Sequence, residues 1–67
     1  MKYSIYKEII CEDTKKRFKV GDTVTVKLEN GGGMGGCTIV KITDKGFHYN
    51  QGGRDKCIQY DRIQDIY

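Results

Sequence analysis

The chain's 67 residues carry a formal net charge of +3, with 31% charged and 37% hydrophobic residues and neither Trp nor Pro. That composition is too apolar for a disordered tail and too short for two cores, so a single small domain is expected. Apolar runs such as Ile9-Ile10 and Ile39-Val40 fall far short of the roughly 20 residues that span a bilayer, and no apolar run follows a basic start, so neither a transmembrane helix nor a secretory signal is expected.

Ile, Val and Thr together number 17 while Leu occurs once and Ala never, a balance that favours strands over helices. Over Met1–Glu12 the alternation of Tyr3 with Ile5 and of Ile9 with Cys11 suits a strand. Ile5, Tyr6, Ile9 and Ile10 also stand at helical spacing, so a short N-terminal helix is the alternative. Asp13–Lys16 reads as a polar turn. Phe18 and Val20 share parity with Val24, Val26 and Leu28, which predicts a strand with its even positions in the core and a turn or bulge at Gly21. Asn30–Gly36 reads as a glycine-dominated connection. Cys37–Thr43 is dense in β-branched residues on both faces, as in a strand that is covered twice or carries a bulge. Asp44-Lys45-Gly46 reads as a turn with the glycine at positive φ. Phe47–Gln51 is a fourth strand, Gly52–Asp55 a turn, and Lys56–Tyr60 a fifth strand with Ile58 and Tyr60 on one face. The spacing then changes from two to three at Asp61–Ile63, predicting one 3-10 turn before a last short strand through Ile66.

Five to six short antiparallel strands, with turns every eight to twelve residues, predict an all-β domain: a small, closed or nearly closed barrel. The run Phe18-x-Val20-Gly21-Asp22-x-Val24-x-Val26 resembles the opening strands of SH3-like barrels. From Val24 to Asn50 the chain also resembles part of the first motif of the Sm-like proteins, with Leu28, Asn30-Gly31, Met34 and Gly36 at that motif's spacing. Asp44 stands two residues beyond the family's turn aspartate. The second motif is reduced to Asp55-Lys56-Cys57-Ile58, similar to the Tyr-Lys-His run of the bacterial Sm-like RNA chaperones. The resemblance implies an SH3-like fold, with RNA binding and ring assembly as the functions that accompany it.

Cys11, Cys37 and Cys57 are far apart, and an odd number of cysteines without a secretion signal predicts reduced thiols in the cytoplasm. Together with His48 they could form a three-Cys, one-His zinc site. Structural zinc sites draw their ligands in closely spaced pairs, which this chain lacks, so small buried hydrophobes are the expected role and no metal or other cofactor is predicted. His48, between Phe47 and Tyr49, reads as an exposed strand residue. Gly31, Gly33 and Gly36 spell G-x-G-x-x-G, and Gly31–Thr38 fits a P-loop except that Cys37 replaces its lysine. Both motifs require a following helix to hold phosphate, and Cys37-Thr38-Ile39-Val40 is a poor helix former. With a single His, and with Ser4 the only serine, no catalytic constellation is visible and an enzyme is not expected.

Two binding functions remain. One is a nucleic-acid module for single-stranded RNA or DNA, with Lys15, Lys16, Arg17, Lys19, Arg54 and Lys56 facing phosphates and Tyr49 stacking on a base. For Lys15–Lys19 the competing reading is a solvated hairpin loop, and Phe47 is expected in the core. The other is a protein-interaction or homo-oligomeric assembly module, with Tyr3, Tyr6, Tyr60 and Tyr67 as contact residues. In either case Gly31, Gly32, Gly33, Met34, Gly35 and Gly36 form a flexible loop able to close over a peptide or anion, with Met34 as its apolar contact. A membrane partner is not expected.

Overall fold

The computed structural model describes residues 3–5, 8–11 and 14–67, with only the backbone described at 3–5. The fold is all-β. Among the described residues eight strands are formed: β1 (Tyr3–Ile5), β2 (Glu8–Cys11), β3 (Lys16–Lys19), β4 (Thr23–Leu28), β5 (Gly33–Ile42), β6 (Gly46–Gln51), β7 (Arg54–Gln59) and β8 (Ile63–Ile66), with a 3-10 turn at Tyr60–Arg62. Strands β1-β2-β3 make one antiparallel sheet. The other has the order β7-β6-β5-β4-β8, so β4 to β7 follow one another as a meander and the 3-10 turn returns β8 to β4.

The strand count exceeds the expected five to six because Gly21 divides the strand expected through Leu28 into β3 and β4, and because the N-terminal segment is a hairpin, β1 with β2, rather than one strand. It pairs with β3 and stands apart from the main sheet. The N-terminal helix alternative is not formed at Tyr3–Ile5 or Glu8–Cys11. Both sheets share one core: Ile9 and Cys11 from β2 pack with Val24, Val26, Cys37, Ile39, Phe47, Tyr49, Ile63 and Ile66, and Phe18 lies against them half-buried. No polar side chain is buried among the described residues, so the cluster rests on apolar area alone.

Parity explains the core, and bulges explain where parity changes. Val24 and Val26 point inward as expected, but Val20 is 53% exposed. Gly21 stands at φ +98°, which breaks the alternation between β3 and β4. On β5, Cys37 and Ile39 face the core; the ladder to β6 then slips between Ile39 and Lys41, leaving Val40 as the extra, exposed residue. The predicted loop Asn30–Gly36 is shorter than its composition suggests, because Gly33–Gly36 open β5 and pair with β4. One extra residue lies between Met34 and Cys37 on that ladder, and Gly36 at φ +65° absorbs it as a bulge.

Gly46 also differs from expectation. Its φ is not positive; instead a Cβ there would overlap the carbonyl oxygen of Ile58, so the position is a close approach of two backbones. The turn expected over Gly52–Asp55 is only Gly52-Gly53, both at positive φ, and Arg54 and Asp55 already belong to β7. A two-residue turn of this kind matches the right-handed strand twist and fixes the β6–β7 register.

Candidate functional site

The edge strand β7 carries the most distinctive surface. Gln51 and Arg54 close its hairpin with β6, and pairs in an antiparallel ladder alternate between bonded and non-bonded. Arg54, Lys56 and Ile58 therefore turn their backbone groups toward β6, while Asp55, Cys57 and Gln59 turn theirs outward. The bond from the Tyr60 amide to the Lys45 carbonyl at 2.9 Å keeps the same phase. No backbone hydrogen bond joins Asp55, Cys57 or Gln59 to another described residue across that outer edge.

Beside this edge lies a groove of about 600 Å3. It occupies the gap between β7 and the β4 end of the sheet, where no ladder joins the described strands and the 3-10 turn bridges instead. Leu28, Met34, Tyr49 and Ile58 supply its apolar walls, with Glu29, Asp61 and Arg62 on the rim. The Tyr49 hydroxyl donates to Met34 Sδ at 3.1 Å, and Gln51 Nε2 donates to the Gly35 carbonyl at 2.8 Å, tying β6 to the start of β5. Burial raises the Tyr49 phenol above its ordinary range, with Cys37 and Cys57 adding to the shift, so it stays neutral. The Tyr60 hydroxyl donates to the Thr43 carbonyl at 3.0 Å, and burial, helped by Asp44, pushes its pKa up to about 12.

The structure separates the predicted nucleic-acid residues. Lys15, Lys16, Arg17 and Lys19 are all exposed, but Lys15 sits in a turn at φ +61° and the other three divide between two faces of β3. Lys16 shares its face with Phe18 and lies 5.5 Å from the centre of the Tyr67 ring. Arg17 and Lys19 point the opposite way, with Arg17 3.8 Å from Glu8. Arg54 and Lys56 belong to the other sheet.

Tyr49 is not a stacking platform. At 3% exposure it lies in the core, its ring 5.8 Å from that of Phe47, because the two residues share the inward face of β6. His48 takes the outward position, exposed as expected, and Phe47 is in the core. Of the proposed binding loop, Met34 alone lines the groove, and Gly33–Gly36 are strand. Tyr60 is half-buried and Tyr67 is 50% exposed; Tyr6 and the side chain of Tyr3 lie outside the described residues.

Sequence reasoning did not identify Leu28, Glu29, Asp61 and Arg62 as groove residues. The available signal was the alternation Arg54-x-Lys56-x-Ile58: two cations on the inward face of a strand mark an edge. Among the described residues no group of three or more His, Cys, Asp or Glu could hold a metal ion, and no helix is long and apolar enough to cross a membrane. Comparison with protein families, curated proteins and solved structures finds no match.

Proposed function

We propose that this chain is a non-enzymatic binding module that captures an extended protein segment by adding it as a strand to β7. The observation that carries this reading is the open edge of β7 beside an apolar groove. Main-chain bonds to Asp55, Cys57 and Gln59 would supply affinity, and a side chain entering between Leu28, Met34 and Ile58 would supply selectivity. An SH3-like barrel is the fold reading we favour. Its support is the strand order, a four-strand meander followed by a 3-10 turn and a fifth strand laid back on the first. The Cys37 and Cys57 thiols, neither of them in a disulfide, fit a reducing cytoplasmic setting.

The test is to select binders from a displayed library of unstructured peptides, then map the site by amide exchange. Binding at β7 slows exchange of the Asp55, Cys57 and Gln59 amides. Peptides that protect other strands instead refute the assignment. A mass that rises with concentration identifies a second copy of the chain as the guest.

The exposure of Lys15, Arg17 and Lys19 favours nucleic acid as the second reading. Anisotropy with single-stranded RNA, single-stranded DNA and duplex DNA over a salt series tests it. Affinity that falls steeply with salt and is abolished by Lys15→Glu, Lys16→Glu and Arg17→Glu together moves the function to β3.

A further inference from the structure

The chemistry of the captured segment can be read from β7, and this step rests on the strand-addition reading. Paired residues of an antiparallel ladder share a face. Lys56 pairs with Tyr49 and Ile58 with Phe47, both partners buried, so Arg54, Lys56 and Ile58 form the inward row of β7 and Asp55, Cys57 and Gln59 the outward row. A guest strand on the open edge continues both rows. Its residue across from Ile58 enters the groove toward Leu28, Met34 and Tyr49. Its next inward residue, two positions along, lies across from Lys56.

That second position is cationic. Neither Arg54 nor Lys56 has a carboxylate partner among the described residues, where the ion pair formed is Arg17 with Glu8. Lys56 lies on the inward face as the ladder partner of buried Tyr49, and in keeping with this its ammonium partly offsets the burial that raises the pKa of the Cys37 thiol. The groove rim carries two carboxylates, Glu29 and Asp61, to one cation, Arg62, a poorer place for a further carboxylate than the side of Lys56 and Arg54. The charge pattern thus gives the site a direction.

We infer that β7 selects an extended acidic segment, paired antiparallel like every ladder in this fold, with a large apolar residue followed two positions later by a carboxylate. The apolar side chain fills the groove and the carboxylate meets Lys56 and Arg54. A second β7 does not fit this description. Laid antiparallel on itself about Asp55 it sets Arg54 against Lys56, and its inward row contains no carboxylate.

The test titrates the full 15N-labelled chain with three capped hexapeptides and follows the amide shifts. The first is Thr-Leu-Thr-Glu-Thr-Thr, the second moves the Glu next to the Leu, and the third replaces the Glu by Lys. The expected result is shifts at Cys57 and Gln59, with the first peptide binding about fivefold tighter than either of the others, as for a partly exposed ion pair. In the Arg54→Glu, Lys56→Glu double variant the preference between the first and third peptides reverses. Equal affinity of all three peptides, with shifts at Cys57 and Gln59, overturns the selectivity while strand addition stands. Absence of shifts along β7 with every peptide overturns both.

Discussion

Gly46 offers the sharpest test of the packing, because two physical reasons for a glycine make opposite predictions there. A glycine retained for positive φ tolerates Asn better than Ala, since Asn enters the left-handed region more readily. A glycine retained for close approach tolerates neither. A Cβ on Gly46 would overlap the Ile58 carbonyl oxygen and stand 2.8 Å from both the Ile58 carbonyl carbon and Gln59 Cα. All three are backbone atoms, so relief requires β6 and β7 to separate at the Gly46↔Gln59 and Phe47↔Ile58 pairs. Phe47, the largest fully buried side chain, would move with them.

Overpacking of this kind costs about 1–3 kcal/mol, and weakening the Phe47–Ile58 hydrogen bonds adds about 1 kcal/mol for each. A domain of 67 residues has a total stability of roughly 3–10 kcal/mol, so Gly46→Ala removes much of it. Gly46→Asn is expected to be at least as damaging. Gly53 is the internal control: φ is +82° and nothing lies within 4 Å of its missing Cβ, so there Asn should be milder than Ala, which costs about 1–2 kcal/mol. Urea unfolding followed by tyrosine fluorescence and far-UV circular dichroism reads all four variants. A Gly46→Asn protein within about 1 kcal/mol of the parent, or clearly more stable than Gly46→Ala, would refute the close-approach account.

Tyr60 makes stability fall at high pH. Its pKa is about 12 in the folded chain against an ordinary value of 10.0, so its contribution is complete below pH 10 and is lost as pH rises from 10 to 12. Tyr60→Phe should flatten that part of the alkaline unfolding curve, and an unchanged slope would contradict the assignment. Cys57 is exposed whereas Cys37 is buried, with its thiol 3.8 Å from the carbonyl oxygens of Met34 and Gly35. Alkylation with peptide mapping should therefore label Cys57 rapidly and Cys37 only at the rate of unfolding; equal labelling would place Cys37 outside the core. Phe47→Ala is expected to cost about 3–5 kcal/mol, read as a lowered urea midpoint with an unchanged slope, and a loss below about 1 kcal/mol would place Phe47 outside the core.

The elements that could be read from sequence were those whose alternation runs unbroken between two turns. Val24 and Val26 place β4, Phe47 and Tyr49 place β6, and the change of spacing after Tyr60 places the 3-10 turn and β8. Errors arose where partner strands override local composition. Gly33–Gly36 resemble a loop until β4 is known to lie alongside them, and Val20 shares the parity of the core only if Gly21 is ignored. Tyr49 reads as a base-stacking residue beside Arg54 and Lys56, although its parity with Phe47 turns both side chains the same way, into the core. The groove was the least legible feature, because it depends on the end of β4 and the 3-10 turn lying beside β7 although β4 and β7 are not neighbours in the sheet, a relation that no local pattern encodes.

The inward cations of β7 also have a protective role, and it bears on the proposed partner. An open strand edge invites pairing with any exposed strand, and charged residues on the inward face are a common safeguard because pairing would bury them. Desolvating the Lys56 ammonium against an apolar or basic strand is costly, whereas a carboxylate across from it supplies both a counter-charge and hydrogen-bond acceptors. The same residues that keep β7 from pairing with uncharged or basic strands would therefore admit an acidic one. The two roles separate by experiment. Replacing Arg54 and Lys56 with Thr removes the safeguard together with the attraction, so the variant should aggregate more readily while losing its preference for the Glu peptide. Aggregation with the preference intact would leave the cations as guards alone and would move recognition of the carboxylate to Arg62 on the groove rim.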